Sequence, residues 1–144
     1  MNIVRGKYNA YGIEVSAFAG RKASRYGDIR IGDVIEQLAT FTDEFFDVVT
    51  SIDSIEHLKS PAAMIRALYP KMKTGGIVFI DTPNADVLRD VSSRHFFLFS
   101  IGTLSYLLEQ NDFQVISART TSDYYNPTDA VISDRFIQVM ARKK

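Results

Sequence analysis

The stretch that most constrains the fold is residues 46–58, which read FDVVTSIDSIEHL. Residues 45–50 form an apolar run that predicts a buried strand, and residues 51–54 form a polar segment after it. Asp47, inside this strand, should cap or pair locally and take no part in catalysis. The chain then reaches Pro61, which we expect in the first turn of a helix because its missing N–H costs nothing there. Open α/β sheets bind their ligands where such strands end, so we expect a functional site directly after this one.

Apolar runs and helix signals alternate along the rest of the chain. Ser16 predicts the start of a helix over residues 17–26 that ends at Gly27, and Ser100 predicts the start of an amphipathic helix. The other predicted elements are strands ending at Glu14 and at residues 29–31, 77–80, 113–118 and 135–141, and a helical turn at 35–38. The last two strands should form an antiparallel pair. This order predicts an open, mostly parallel α/β sheet with an antiparallel end.

Turn residues flank one of these strands on both sides. Gly75 and Gly76 should turn the chain into the strand, and Pro83 should fix the turn that follows it. Asp81 and Asn84 lie at its carboxyl end, where they could touch a substrate.

Composition restricts the kinds of function and of site. A chain of 144 residues should form one domain over residues 1–144. Seventeen basic and seventeen acidic residues cancel, which argues against binding nucleic acid or a membrane through a net field. The chain has no cysteine and two histidines, so we expect no metal site. It contains no signal peptide and no apolar run of about 20 residues, so we expect a cytoplasmic protein.

Four short signatures follow one another along the chain. They are GIEVS at residues 12–16, Gly32-Asp33, residues 46–58, and KTGG at 73–76 with the strand and the Thr82-Pro83-Asn84 segment after it. His95-Phe96, Ser100, Leu104 and residues 111–113 come next. With these residues in this order, the chain resembles the class I methyltransferases that use S-adenosylmethionine, in particular their small-molecule branch. The resemblance implies a Rossmann-like fold with helices on both faces of the sheet.

The resemblance also implies a cofactor site. Glu14 would bind the ribose hydroxyls of S-adenosylmethionine, and Asp33 with the Val34 N–H would bind the adenine. Ser51 and Asp53 would face the methionine part of the cofactor and the substrate. Each side chain has a structural alternative: a strand-end charge for Glu14, a turn or helix N-cap for Asp33, and bonds to the local backbone for Ser51 and Asp53.

His57 and His95 are the candidate catalytic residues, as acids or bases that act on a small-molecule acceptor. His57 follows the central strand, and His95 lies in a loop that should reach over the pocket. The structural alternative is that both are packed residues with satisfied hydrogen bonds. The neighbouring Phe96, Phe97 and Phe99 could stack on a flat acceptor or form a small core.

One part of the family pattern is absent from this sequence. Members begin with a strand and a glycine-rich loop that opens a helix, and the main-chain N–H groups of this loop hold the carboxylate end of the cofactor. Here Gly6 follows no strand and Gly12 lies inside one. We therefore expect an N-terminally truncated domain with an incomplete cofactor site, which alone binds S-adenosylmethionine weakly or not at all.

Loss of the first strand would leave two strand edges without partners. The strands at Glu14 and Val48 should then pair with each other, with residues 2–5, or with another chain. We expect either a homo-oligomer or a partner chain that covers these edges, or a sheet closed up by one strand. Tyr124 and Tyr125, in a polar loop, also suit a partner surface.

Three functions are consistent with these residues. The first is an S-adenosylmethionine-dependent methyltransferase that acts on an unknown small molecule. The second is a catalytically inactive methyltransferase remnant that serves as an oligomerisation or binding module, which the missing glycine loop supports. The third is a dinucleotide-binding domain, but the absence of a G-x-G-x-x-G segment and the Ile-Glu-His-Leu loop argue against it.

Overall fold

The computed structural model describes residues 7–87, 94–122 and 134–144. The chain forms two compact units, one within Met1–Thr42 and one within Asp43–Lys144. The interpretation of the whole chain as one domain stays a prediction. Residues 2–5, Tyr124 and Tyr125, on which predictions about pairing and partners were based, lie outside the described residues.

The first unit alternates two strands with two helices. Its elements are β1, Tyr11–Glu14; α1, Ala17–Ala23; β2, Asp28–Ile31; and α2, Val34–Leu38. β1 and β2 pair in parallel, and β1 ends at Glu14 as predicted. Among the described residues, β1 pairs with no strand other than β2.

Helix α1 is shorter than predicted. Ser16 caps its start, as expected from the sequence. The helix ends at Ala23 because the Ser24 hydroxyl donates to a carbonyl of the preceding turn at 2.8 Å and competes with further helical bonds. Gly27, which was predicted to end the helix, lies against the backbone of Ala10 instead. A Cβ at Gly27 would be 2.4 Å from the Ala10 carbonyl oxygen, so this close approach requires glycine.

The second unit contains a four-stranded sheet. Its strands are β3, Phe46–Ile52; β4, Met72–Pro83; β5, Phe113–Thr121; and β6, Phe136–Lys143. Its helices are α3, Pro61–Leu68, and α4, Ile101–Glu109, and 3-10 turns lie at Ile55–His57 and Tyr69–Lys71. The order across the sheet is β3-β4-β6-β5. β3 and β4 run parallel, whereas β6 runs antiparallel to β4 and to β5, which confirms the predicted antiparallel end.

Strand β3 extends beyond its predicted end at Thr50. Its pairing with β4 continues through Ser51, opposite Ile80, and through Ile52. The interpretation of Ser51 as a loop residue was therefore wrong, because the backbone ladder outweighs the local polarity of the side chains. The polar segment after the strand begins at Asp53.

Strand β4 begins earlier and ends later than predicted. Gly75 and Gly76 lie inside it and form a bulge rather than a turn, because the pairing with β3 shifts register there. Gly75 takes up the irregularity with a φ of +78°. Asp47 pairs locally, as predicted, by accepting a bond from Lys73 Nζ at 2.7 Å. Pro83 is the last residue of the strand and not a turn residue, so that prediction was also wrong.

The core of the second unit is apolar. Helix α3 contributes Met64, Ile65 and Leu68, and helix α4 contributes Leu104 and Leu108. The sheet and its connections contribute Ile55, Met72, Val78, Ile80, Phe113, Ile137, Val139 and Ala141. In each helix these buried residues recur three or four positions apart, the spacing that places them on one face. None of the helices within the described ranges is long and apolar enough to cross a lipid bilayer.

Gly76→Ala should destabilise the protein by about 1–3 kcal/mol. A Cβ at this position would lie 2.8 Å from the Lys73 carbonyl oxygen and 3.2 Å from that of Asp47. The matched control is Gly102→Ala in α4, where the nearest contact of a Cβ would be Ser100 Oγ at 3.8 Å. Because alanine favours helices, the control should be neutral or stabilise by up to about 1 kcal/mol. Urea unfolding measures both, and equal stability of the two variants would contradict the bulge.

Candidate functional site

The carboxyl ends of β3 and β4 lie side by side in the second unit. The backbone N–H of Asp53 donates to the carbonyl of Asp81 at 2.9 Å and joins the two strand ends. Asp53 has a φ of +48°, a left-handed conformation in which the chain turns sharply out of β3. The 3-10 turn that follows carries Glu56, which is 0% exposed. A carboxylate is therefore buried at the edge where the sequence predicts a ligand site.

Among the described residues, one oxygen of the Glu56 carboxylate accepts a side-chain hydrogen bond. Thr82 Oγ1 donates to Oε2 at 2.8 Å. The other oxygen, Oε1, is buried with no hydrogen-bond donor among the described residues and lies 3.8 Å from His57 Nε2. Burial raises the pKa of the Glu56 carboxyl above its ordinary value, and the neighbouring Asp53 carboxyl raises it further. Hydrogen bonds from its own backbone and from Thr82 oppose this rise in the pKa.

The backbone of Glu56 also fixes the position of the second histidine. Its carbonyl accepts two hydrogen bonds, at 2.9 and 3.2 Å, from successive N–H groups of the segment that carries His95. His57 Nδ1 lies 2.9 Å from the carbonyl oxygen of Arg94 in the same segment. The rings of His57 and His95 meet edge to face with centroids 4.8 Å apart. The two candidate acid–base residues therefore lie together.

Glu56, His57 and His95 form a compact set of possible metal ligands. Each offers one ligand atom, and these three atoms all lie within 4.8 Å of one another. Glu56 is fully buried, whereas the His57 side chain is 37% exposed and His95 is half-buried. The set is thus closed on one side and open to solvent on the other. Such an arrangement can hold a cation or transfer a proton.

Reasoning from the sequence missed Glu56 as a site residue. The available signal was a carboxylate directly before a histidine, in the first turn after a buried strand. Its burial was not foreseeable, because glutamate is among the residues least often buried. The roles predicted for His57 and His95 stay predictions.

Glu14, Asp33 and Val34 lie in the first unit, where β1 and β2 end. Glu14 Oε1 accepts from the Ser16 N–H at 2.8 Å. Asp33 is the N-cap of α2, as its structural alternative predicted, because Oδ1 accepts from two N–H groups at 2.9 and 3.3 Å. The second oxygen of each carboxylate accepts no hydrogen bond from the described residues. Each residue could therefore offer one acceptor oxygen to a ligand, and their roles in cofactor binding stay predictions.

Ser51 and Asp53 lie in the second unit, so each unit holds part of the predicted cofactor set. Ser51 is half-buried within β3, and Asp53 is exposed directly after it. In the part of the chain that the structure describes, no helix opens from a loop of the G-x-G type. These residues therefore show no backbone cradle for the carboxylate end of the cofactor.

An apolar cavity of about 240 Å³ lies between α3, α4 and the segment after His95. Its lining consists of Lys59, Ser60, Pro61, Ala62, Phe97, Phe99 and Leu107. The predicted core role of the phenylalanines holds for Phe99, which is buried. Phe97 stacks on it with centroids 6.2 Å apart and remains 41% exposed, and Phe96 is 62% exposed. Two aromatic rings therefore form a wall of the cavity, where they could contact a flat apolar molecule.

Asp81 and Asn84, predicted as possible substrate contacts, are buried and bound by protein groups. Gln138 Nε2 donates to Asp81 Oδ2 at 2.7 Å. Asn84 Nδ2 donates to the carbonyl oxygen of Asp134 at 2.8 Å. These bonds hold β4 and the start of β6 together, which is a structural role.

Glu56→Gln should make the stability of the metal-free protein less dependent on pH. In the unfolded chain this carboxyl loses its proton near pH 4.5, whereas the raised pKa keeps the proton on it to a higher pH in the folded state. Wild type should therefore lose stability relative to Glu56→Gln as the pH rises above 4.5, by about 1.4 kcal/mol for each unit by which the pKa is raised. Below pH 4.5 this loss should disappear.

Urea unfolding at several pH values in the presence of a chelator measures this difference. Glu109→Gln, at the exposed end of α4, controls for the substitution itself. A stability difference between wild type and Glu56→Gln that is constant over pH would contradict the raised pKa.

Comparison with solved structures identifies the fold. A methyltransferase from Archaeoglobus fulgidus, described as dependent on S-adenosylmethionine, superposes with a TM-score of 0.78 at 17% identity, over 92% of this chain and 75% of that one. A possible histamine N-methyltransferase from Thermotoga maritima superposes with a TM-score of 0.74 at 18% identity, over 96% of this chain and 74% of that one. At these identities the likeness establishes the Rossmann-like methyltransferase fold.

Comparison of sequences gives relatives of known name over part of the chain. The ubiquinone biosynthesis O-methyltransferase of Pseudomonas aeruginosa is 35% identical over 74 residues, which are 51% of this chain and 29% of that protein. The enzyme of the same name from Pseudomonas putida is 47% identical over 49 residues, which are 34% of this chain and 21% of that protein. The chain thus aligns with less than a third of the length of these relatives.

The family model for a methyltransferase domain matches residues 3–118, which is most of the chain. The solved structures with the same fold include many described as dependent on S-adenosylmethionine, the cofactor that this family implies. The chain therefore belongs to the class I methyltransferases that use S-adenosylmethionine.

Proposed function

We propose that this chain takes part in the transfer of a methyl group from S-adenosylmethionine to an oxygen atom of an apolar small molecule. The observation that carries the proposal is the cavity of about 240 Å³ beside the two histidine segments. Lys59 and Phe97, which line it, each follow a histidine by two residues, His57 and His95 respectively. The partial relatives from Pseudomonas, named O-methyltransferases, support oxygen as the acceptor atom.

The cavity suits an acceptor that is largely apolar. Its wall contains Pro61, Phe97, Phe99 and Leu107, and Lys59 is the one charged residue among the described residues that line it. Small-molecule sites typically combine such apolar walls with a few polar groups that fix the orientation of the ligand. Lys59 and Ser60, the polar side chains of the described lining, could contact a hydroxyl group of a flat acceptor that lies on the aromatic wall.

Methyl transfer from S-adenosylmethionine requires mainly that the protein orient the cofactor and the acceptor. S-adenosylmethionine supplies a methyl group on a sulfonium, so its carbon is already activated for in-line displacement by an oxygen. The side chains of the cavity would hold the acceptor and exclude water, which is the main source of acceleration in such a reaction. The acceptor hydroxyl must give up its proton as the new bond forms. His57 or His95 would accept this proton as a general base.

Cofactor recognition is assigned to the carboxylates at the strand ends. Glu14 would accept a hydrogen bond from the ribose, and Asp33 with the Val34 N–H would contact the adenine. Ser51 and Asp53 would face the methionine part. Glu14 and Asp33 each already use one oxygen for a local bond to the protein backbone. Binding by these residues should therefore be weak without a backbone cradle for the carboxylate end.

S-adenosylmethionine should bind the chain with a Kd in the high-micromolar to millimolar range, about −4 to −6 kcal/mol. Glu14→Gln should weaken this binding about tenfold, because a charge-assisted hydrogen bond is lost while the amide oxygen still accepts from Ser16. The matched control is Asp28→Asn, which removes an exposed carboxylate at the other end of the parallel pair. Isothermal titration calorimetry measures all three affinities.

Two results would overturn parts of this assignment. A low-micromolar Kd for wild type would show that the cofactor site is complete. Equal effects of Glu14→Gln and Asp28→Asn would remove Glu14 from the ribose site. No binding at millimolar S-adenosylmethionine would favour the second candidate, a catalytically inactive module for oligomerisation or binding.

The edge of β3 supports that second candidate. β3 pairs with β4 on one side, and in the described chain no strand pairs with its other side. Val48 and Ile52, on the same face of β3, are 60% and 52% exposed. A strand edge with exposed apolar side chains favours pairing with another chain. The proposed partner is therefore a second copy of the chain or another protein. We also propose that the protein acts in the cytoplasm.

Val48→Lys should shift an oligomer toward monomer, because a charge on an edge strand opposes edge-to-edge pairing. The control is Ile116→Lys on β5, the strand at the opposite edge of the same sheet, where the side chain is 39% exposed. Sedimentation velocity at several concentrations measures the oligomeric state. A wild-type chain that stays monomeric up to about 100 µM would contradict pairing through this edge. Such a result would mean that the free energy of association is weaker than about −5.5 kcal/mol.

A further inference from the structure

The fold brings the two histidines of the chain into contact at the end of β3. His57 lies in the turn after the strand, and His95 comes from a distant segment whose N–H groups bind the Glu56 carbonyl. The low histidine count predicted no metal site. That reasoning treated the histidines as isolated, whereas the structure supplies both imidazoles and a carboxylate in one place.

One buried oxygen of the Glu56 carboxylate, Oε1, has no hydrogen-bond donor among the described residues. Thr82 holds Oε2 at 2.8 Å and thereby fixes the orientation of the carboxylate. Oε1 is buried with no donor among the described residues, at 3.8 Å from His57 Nε2. Buried carboxylate oxygens are normally paired or bound to a cation, because an unpaired one is strongly destabilising. When the carboxyl is ionised, a cation next to Oε1 would complete its bonding.

The tautomer of His57 also favours metal binding at this place. Its Nδ1 lies 2.9 Å from the carbonyl oxygen of Arg94, and a carbonyl only accepts hydrogen bonds. Nδ1 must therefore carry the proton in a neutral ring, which leaves the lone pair on Nε2, the atom near Glu56 Oε1. A histidine that binds a metal typically donates its other N–H to a carbonyl or a carboxylate in this manner.

We propose that Glu56, His57 and His95 together bind one divalent transition-metal ion, with Zn²⁺ as the reference ion. Tetrahedral zinc bonds of about 2.0–2.2 Å place the ligand atoms roughly 3.4 Å apart. The observed 3.8 Å between Oε1 and Nε2 is close to this spacing, and the 4.8 Å limit for the whole set requires only small side-chain rotations. Two imidazoles and one carboxylate suit Zn²⁺, Mn²⁺ or Co²⁺ better than Mg²⁺ or Ca²⁺, which prefer oxygen ligands.

Three protein ligands leave at least one coordination position for another molecule. The His57 side chain is 37% exposed, so solvent and small molecules can reach the site, and the segments of both histidines continue into the lining of the apolar cavity. If the proposed methyl transfer holds, the ion would take over the role of the histidines: it would bind the acceptor hydroxyl and lower its pKa, and the proton would pass to solvent at the open side of the site. This last step rests on the proposed function, whereas metal binding itself does not.

The test uses the untagged 144-residue chain after treatment with a chelator. Isothermal titration with ZnCl₂ should show one Zn²⁺ per chain, and binding of MgCl₂ should be at least about 100-fold weaker. Because the chain has two histidines, the ring nitrogens give two sets of NMR signals. Both sets should change together and saturate at one equivalent of Zn²⁺.

Substitutions locate the ion. Glu56→Gln, His57→Gln and His95→Gln should each weaken Zn²⁺ binding by at least about 100-fold, and Glu109→Gln at the exposed end of α4 should not change it. Thr82→Val should weaken binding about tenfold by releasing the carboxylate, and Thr82→Ser, which keeps the hydroxyl, should restore it. Urea unfolding of each metal-free variant confirms that it is folded.

Several results would overturn the site. They are a change in the signals of one ring only, a stoichiometry other than one, and full Zn²⁺ affinity in Glu56→Gln. Zinc titration involves no cofactor, so failure of the site can be told apart from failure of the proposed function. Zn²⁺ binding by a chain that never binds S-adenosylmethionine would uphold the metal site and refute methyl transfer by the chain alone.

Discussion

The buried Glu56 residue joins three segments of the second unit. Its side chain accepts from Thr82 at the end of β4, and its carbonyl accepts two N–H groups from the segment that carries His95. Because Glu56 itself belongs to the turn after β3, these bonds connect the ends of two parallel strands with a distant loop. A buried carboxylate makes this connection at a cost in folding free energy, because removing a carboxylate from water opposes folding. An amide could make the same hydrogen bonds without a charge, so the bonds alone do not explain the acid.

The central strand β4 makes this geometry possible. It pairs with β3 on one side and with β6 on the other, and its bulge at Gly75 and Gly76 sets the register in which Ser51 lies opposite Ile80. This register places Thr82 two residues beyond Ile80, within reach of the Glu56 carboxylate. A slip of one residue would turn Thr82 to the other face of the sheet. The bulge near one end of β4 thus determines the hydrogen bond near the other end.

Local signals predicted the helix starts well. Ser16 and Ser100 were identified as N-caps from the sequence, and both accept the expected bonds because capping depends on residues within one turn. The ends of α1 and β3 were less predictable. The α1 end depends on competition by the Ser24 hydroxyl, and the β3 end depends on pairing with a distant strand. Paired glycines are typical of turns, so the bulge in β4 could not be told from a turn without its partner strand.

The candidate site shows the same division between local and long-range information. His57 and His95 were each identified as chemically interesting, but nothing in a local window places one next to the other. Their proximity depends on the two N–H groups that bind the Glu56 carbonyl, a contact between segments distant in sequence. Glu56 was part of the recognised stretch and was still missed, because its importance comes from burial.

Two unfavourable features coincide at the end of β3. Asp53 adopts a left-handed backbone conformation, and Glu56 has a raised pKa and a buried oxygen without a donor in the described chain. Strain and perturbed carboxyl groups tend to occur at functional sites, where the surrounding structure holds them in place. The carboxylates of the first unit differ, since Glu14 and Asp33 bind local backbone N–H groups at helix starts and remain at least partly exposed. A positive ion beside Glu56 would account both for its burial and for the oxygen that lacks a donor in the described chain.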